Sequence, residues 1–352
     1  MNLEKWGLTS YFKDKTLNLV AQGLNIGRIV KESRHLYEIE TEQGRFPGKI
    51  SGHFQYSAIN RADYPTIGDW VAVKIDKNMA VIEKLVDRTT AFSRKRAGNE
   101  TQEQIIAANL DYIFLVFALD GGRNYSEGAV ERFLTRAWDS GATPIIVLNK
   151  TDLCESCDEY LYKTELIAAG TAVILTSTID GSGISELREL LKPGKTVGFT
   201  GFSGVGKSAL INTLCGQSVM ATGAIRESDK KGKHTTTHKE LILLDNGSIL
   251  IDSPGLKELQ LWGDERTLDS TFNDIIDLSR ECKFSNCTHN GEPGCVIKEL
   301  LDSGELNLDR YNRYLKMKKE LNFLERKTSI KAKLDEKKKW KDISKFAKSL
   351  KK

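Results

Sequence analysis

Apolar and polar positions follow three different patterns along the chain. Up to about residue 95 there are short strand signals broken by turns. Leu24–Val30, Leu36–Glu40, Gly44–Ile50, Trp70–Ile75 and Met79–Leu85 carry β-branched and aromatic residues in partial alternation. Thr41–Gly44 and Asp76–Asn78 supply turn chemistry between them. Five strands with no convincing helix between them predict a small barrel such as an OB-fold, which often binds oligonucleotides across an open strand face. A barrel that only packs or binds protein fits the pattern equally well. From about Thr101 apolar strands (Tyr112–Ala118, Pro144–Leu148, Ala172–Leu175, Lys195–Phe199) alternate with helices (Ser126–Ser140, near Glu159–Ala169, near Ile184–Leu191). That alternation predicts a mostly parallel α/β sheet covered on both faces, extended by Lys239–Leu244 and Ile249–Ile251. From Asp309 the pattern is helical. The fold class is therefore multidomain: a barrel over 1–95, an α/β domain over 96–265 and a mainly helical C-terminal domain over 266–352.

Composition narrows the class. The 352 residues give room for two or three domains, and 28% charged with 39% hydrophobic residues is ordinary for a soluble protein. Met1–Leu8 already contains Glu4, Lys5 and Trp6, unlike a secretory leader. The longest apolar run, Tyr112–Leu119, is far short of the ~20 residues of a membrane helix, so no membrane partner is expected. Six unevenly spaced cysteines do not make a secreted disulfide framework. These features point to the cytoplasm.

The candidate chemistry lies just after the apolar strands, where ligands of such sheets bind. Gly198–Leu210 reads as strand end, glycine-rich loop and helix start. Its residues Gly201, Phe202, Ser203, Gly204, Val205, Gly206, Lys207 and Ser208 match the P-loop, G-x-x-x-x-G-K-[ST]. Glycines let backbone N–H groups turn onto phosphate oxygens, Lys207 brings a point charge, the Ser208 hydroxyl can ligate Mg²⁺, and the helix aims its positive end at the anion. Asn149-Lys150-Thr151-Asp152 is N-K-x-D. Its aspartate can accept N1–H and the exocyclic amine of guanine together, its asparagine can donate to the acceptor edge, and the lysine stem packs beside the base. An ordinary polar loop with Asp152 as a cap would read the same in isolation. Ser177, after the next strand, can offer a backbone amide to the guanine carbonyl. Within His234-Thr235-Thr236-Thr237 a threonine, taken as Thr236, can complete the Mg²⁺ shell and sense the γ phosphate. Asp252-Ser253-Pro254-Gly255 is a D-x-x-G, where Asp252 can hold a Mg²⁺-bound water and Gly255 can present its N–H to the γ phosphate.

Together these motifs describe a GTP site, but in an unusual order. Small GTPases run P-loop, switch threonine, D-x-x-G, N-K-x-D; here N-K-x-D comes first, as in a circular permutation. Residues and order resemble the ribosome small subunit-dependent GTPase A family, the RsgA or YjeQ type. Ala107–Asp111, Gly68–Val71 and the His234–Thr237 run add to the likeness, which covers about residues 20–315. The resemblance implies an OB-fold, a permuted GTPase domain and a zinc-binding domain, acting in late maturation of the small ribosomal subunit and touching its rRNA. A monomer that binds GTP and GDP is expected.

Cys282, Cys287, His289 and Cys295 are spaced C-x4-C-x-H-x5-C. Three thiols and an imidazole are the ligand set of a closed structural zinc site, and the resemblance carries zinc onto these four positions. Cys154-x2-Cys157 has no evident partner pair and reads as exposed thiols near a helix start. Cys215 reads as core; His35, His53 and His238 read as surface. Lysines crowd the end of the chain (Lys337–Lys339, Lys341, Lys345, Lys348, Lys351, Lys352) around Trp340 and Phe346, as a solvated tail or a phosphate-contacting arm.

The position after D-x-x-G is Leu256, where many GTPases carry a glutamine that orients water. A leucine cannot do that, so unassisted turnover should be slow. His234 is the nearest alternative, placed by the resemblance as a proposed catalytic residue; RNA contact or loop solvation explains it as well. The D-x-x-G segment also runs directly into the cysteine-bearing region, so loss of the γ phosphate could tilt that region. Two other classes use the same motifs differently: a metabolic P-loop NTPase or kinase, and an RNA-binding module with GTP as a passive ligand.

Overall fold

The structure is a computed structural model that describes residues 2–33, 36–95, 103–122, 124–216, 239–253, 256 and 268–323. A helix the strand pattern did not predict, α1 (Ser10–Ala21), comes first. It buries only Phe12 and Thr16 and leaves Leu17 and Val20 in solvent, so its apolar stripe is too thin to stand out in the sequence. The barrel follows: β1 (Asn25–Ser33), β2 (Leu36–Thr41), β3 (Gly44–Ile50), a short helix α2 (Gly52–Ser57), β4 (Trp70–Asp76) and β5 (Met79–Leu85). It closes as β1-β2-β3-β5-β4-β1, antiparallel except for the β3–β5 pair. Ile29, Tyr37, Ile39, Val71, Val73, Ala80 and Ile82 fill it, and Phe54 of α2 packs with them. The boundaries of the five strands thus match the sequence reading closely.

β6 (Ala91–Lys95) and β7 (Glu103–Ala108) form a two-stranded sheet. The alternating region then runs β8 (Tyr112–Ala118), α3 (Glu127–Asp139), β9 (Thr143–Asn149), α4 (Cys157–Ile167), β10 (Ala172–Thr176), α5 (Ile184–Leu190), β11 (Thr196–Thr200), α6 (Lys207–Cys215), β12 (Lys239–Leu243) and β13 (Ile249–Asp252). Strands are ordered β10-β9-β8-β11-β13-β12, all parallel but the last pair. Period-two alternation divides β8 between two cores. Ile113, Leu115 and Phe117 pack with Phe133 and Leu134 of α3, whereas Phe114, Val116 and Ala118 pack with Leu187 of α5 and Leu210 of α6.

The two sheets are one. β12 pairs with β13 on one side and, through Lys31↔Glu240 and Glu32↔Lys239, with β1 on the other. A register shift between Ile29 and Lys31 bends β1, so that Asn25–Arg28 pair with β4 while Lys31 and Glu32 reach β12. A buried arginine secures the same junction. Arg28 donates to the carbonyls of Trp6, Gly68 and Asn109 and to Thr196 Oγ1 at the head of β11, with its guanidinium 5.5 Å from the Trp70 ring centroid. Burial pulls its pKa down to about 10, so it stays charged at neutral pH.

By its contacts the chain divides into two compact units, 1–94 with 104–260, and 95–103 with 261–352. In the second, α7 (Asn273–Arg280), α8 (Val296–Ser303) and a helix over 308–323, α9, enclose Phe272, Ile275, Ile297, Met317 and Leu321. Arg310 of α9 holds Asp274 of α7 in a two-pronged pair at 2.8 Å and donates to the Thr271 carbonyl. Among the described residues no helix is long and apolar enough to cross a membrane.

Candidate nucleotide site and metal cluster

The carboxyl ends of β9, β10, β11 and β13 bring N-K-x-D, Ser177, the P-loop and Asp252 to one edge of the sheet. Two loop positions admit only glycine. At Gly201 (φ +148°) a Cβ would lie 2.2 Å from the Val116 carbonyl oxygen of β8; at Gly206 (φ +95°) it would lie 2.3 Å from Asn149 Nδ2. Val205 is buried, Phe202, Ser203 and Gly204 are exposed, and the Phe202 ring rests against Phe133 at 5.3 Å between centroids. Lys207 opens α6 and curls back across the loop, donating to the carbonyls of Gly201 (2.7 Å) and Phe202 (2.5 Å). Ser208, next along the helix, is half-buried.

Asn149 is 1% exposed, and its amide is engaged at both ends. Nδ2 donates to the Val205 carbonyl (2.8 Å) and Oδ1 accepts from Thr176 Oγ1 (3.0 Å). It therefore ties the P-loop to β9 and β10, a task the sequence reading, which set it against the base, did not include. Lys150 takes a left-handed backbone (φ 64°), and its ammonium pairs with Asp120 at 2.8 Å. That hydrogen bond holds the Asp120 carboxyl below the usual range, despite some burial. Asp120 was not singled out from the sequence; the signal was a D-G-G turn directly after an apolar strand. Thr151 begins a 3-10 turn that presents Asp152 at the surface, and Asp152 accepts from Ser177 Oγ at 2.6 Å. Ser177 is fully buried and its hydroxyl also accepts from the N–H of Ile179 at 3.1 Å, so the group that orients Asp152 is itself fixed.

Asp252 ends β13 opposite Glu240 of β12. Leu256 is 1% exposed, packs with Leu110, and takes the Thr200 hydroxyl on its carbonyl; it is a core residue rather than a lining one. His234, Thr236 and Gly255 lie outside the described residues, as do His35, His238, the segment 257–267 and the lysine-rich tail. His53 is exposed, as expected. Cys154 and Cys157 are half-buried rather than exposed, because they pack against the first core. Cys157 Sγ lies 3.7 Å from the Thr151 carbonyl, and burial pushes its thiol up to about 11. Cys215 is half-buried against the second core, less enclosed than expected.

In the second unit the ligand atoms of Cys282, Cys287, His289 and Cys295 lie within 4.8 Å of one another, the one such group among the described residues. His289 Nδ1 is 3.4 Å from Cys295 Sγ and 3.6 Å from Cys282 Sγ. Tetrahedral zinc, with bonds of about 2.3 Å to sulfur and about 2.0 Å to nitrogen, requires S···N near ~3.5 Å, so the donor set and its spacing fit. The start of α8 faces the sulfurs. Lys298 N–H donates to Cys295 Sγ at 3.4 Å. Burial raises the Cys282 thiol, but the N–H groups of Ile297 and Val296 outweigh it and leave it below its ordinary value. Burial also lowers His289, favouring the neutral imidazole that a metal needs. Glu292 braces the knuckle by accepting from the Thr288 hydroxyl and from the N–H groups of Thr288 and Asn290, the last two each at 2.8 Å, which holds its carboxyl at about 2.

Comparison with known proteins agrees with this geometry. The RsgA GTPase family model matches residues 85–262. A protein of Oceanobacillus iheyensis, "Small ribosomal subunit biogenesis GTPase RsgA 1", is 40% identical over 98% of this chain and 98% of its own. The chain belongs to the RsgA GTPase family. As a member it is a GTPase, and its motif order is that of a circular permutant. A like-named Listeria innocua protein is 39% identical over 98% of this chain and 96% of its own. Among solved structures, YjeQ from Thermotoga maritima matches with a TM-score of 0.63 at 29% identity, over 85% of this chain and 98% of that one. YloQ, described as a circularly permuted GTPase, gives 0.60 at 26%, over 85% and 95%. An ABC transporter family model also matches residues 184–344, a span that includes the P-loop that ATPases and GTPases share but not N-K-x-D.

Proposed function

We propose that this RsgA-family enzyme hydrolyses GTP to GDP and phosphate when docked on the small ribosomal subunit, as a late step in that subunit's maturation. The observation that carries the reading is the Asn149–Val205 hydrogen bond. It fixes the loop that reads guanine against the loop that holds phosphate, so a guanine nucleotide is gripped at both ends by one rigid frame. The names of the most similar relatives supply the ribosomal partner.

In this reading the backbone N–H groups of Gly201, Phe202, Ser203, Gly204, Val205 and Gly206, with the Lys207 ammonium, hold the phosphates. Asp152, steadied by Ser177, reads guanine, while Lys150 and Thr151 flank the base. Ser208 and Thr236 would hold Mg²⁺, which neutralises charge on the β and γ phosphates. Asp252 and Gly255 address the γ phosphate, and His234 orients water. Cys282, Cys287, His289 and Cys295 hold zinc as a structural ion. The chain acts as a cytoplasmic monomer whose parts divide near residues 95 and 265, with rRNA touching the barrel and the basic tail. Leu256, committed to the core, offers nothing to the attacking water, which leaves the partner to complete the site. Multiple-turnover GTP hydrolysis with and without purified small subunits tests this. Stimulation of about tenfold or more is expected of an assisted GTPase; equal rates would remove the ribosomal role.

A further inference from the structure

The switch-side strand β12 is held from the barrel. Its first residue, Lys239, stands two positions beyond Thr237 in the chain, and its next, Glu240, lies opposite Asp252 at the end of β13. Beside that register point is a polar cluster built mostly from barrel residues. Lys239 Nζ donates to Glu32 Oε2 and to Thr66 Oγ1, both at 2.9 Å. Glu32 Oε2 also accepts from Thr66 Oγ1 at 2.7 Å and from the N–H of Ile67 at 3.2 Å. The Lys239 and Glu32 side chains are only 17% and 21% exposed, so salt screens the pair weakly. Thr66 is buried and anchored in turn, its N–H donating to Asp69, which a two-pronged pair with Arg88 holds in place.

From this arrangement we propose that Glu32, Thr66 and Lys239 are positioning residues for GTP hydrolysis. They fix the start of β12 from the barrel side, in addition to its pairing with β13, and with it the register at Asp252. The cluster reaches neither the P-loop nor N-K-x-D, so it governs the γ-phosphate side and leaves binding of the rest of the nucleotide alone. A displacement of the barrel, as docking would impose, therefore acts on turnover before it acts on affinity. The inference rests on Asp252 and Thr236 serving the γ phosphate.

The test uses the full chain carrying Lys239→Met, Glu32→Gln or Thr66→Val, with Lys239→Arg as the conservative variant and Asp252→Asn as the control for the underlying reading. Turnover at saturating GTP and affinity for a fluorescent GDP analogue are measured for each, with a thermal melt to identify folded variants. Lys239→Met and Glu32→Gln are expected to lower kcat by about tenfold, the scale of a sub-ångström misplacement. GDP affinity should stay within about twofold, and Lys239→Arg should recover most of the rate. Unchanged kcat in a folded variant overturns the proposal, as does a parallel loss of GDP affinity, which would make the cluster a general prop. Should Lys239→Met not fold, Thr66→Val removes only one hydroxyl and the same criteria apply. If Asp252→Asn also leaves turnover unchanged, the γ-phosphate reading has failed; if only Asp252→Asn impairs it, the cluster proposal alone has failed.

Discussion

Asn149 and Gly206 constrain each other at the level of single atoms: the amide occupies the space a Cβ at 206 would need, and the missing Cβ lets the amide reach Val205. Asn149→Ala would leave the Val205 carbonyl and the Thr176 hydroxyl unpaired in a dry environment. Each such group costs about 1–3 kcal/mol, so a loss of about 3 kcal/mol in urea unfolding is expected. GDP affinity should drop with it, since the phosphate loop loses its fixed position. Asp120 gives a pH signature. Its folded pKa lies below the ordinary carboxylate value of about 3.9, so the Lys150 pair stabilises the fold above that pH and the contribution fades as pH falls through the folded value. Compared by urea unfolding, wild type and Asp120→Asn should differ by a constant amount from neutrality to about pH 5 and converge below about pH 4.

At the scale of elements, α8 depends on its first turn as much as on its apolar face. Cys295 is its N-cap, and the sulfurs around it take the N–H groups that a helix start leaves unpaired. Metal and helix should therefore be lost together. Cys287→Ser, or a strong chelator applied to the wild type, is expected to remove one metal ion per chain by elemental analysis and to lower helicity by circular dichroism. GDP affinity should be kept, because α7, α8 and α9 have a core of their own. The elements differ in how legible they were. The five barrel strands, the alternating region and all the motifs could be read because β-branched alternation, apolar runs and glycine spacing are local properties. The first helix could not, since two buried residues in twelve leave almost no periodicity. Nor could Asn149's tie to Val205, 56 positions away, or Asp120's pair with Lys150, because a sequence does not display which distant groups its folding brings into contact.

Across the whole first unit, Arg28 and the β1–β12 pairing make barrel and nucleotide domain a single folding body. The arginine satisfies carbonyls from the N-terminal turn, a barrel loop and the approach to β8, and it reaches the strand that feeds the P-loop. Its cost of burial is offset only when all of those segments are present. Sequence boundaries near residue 95 mark a change of pattern, whereas the hydrogen-bonded sheet runs straight across it.

That seam limits what can be dismantled. In a chain begun at residue 104, β12 would become an outer strand with a bare row of N–H and C=O groups. Unpaired strand borders recruit other strands, including copies of themselves. The barrel therefore also acts as a cover for that border.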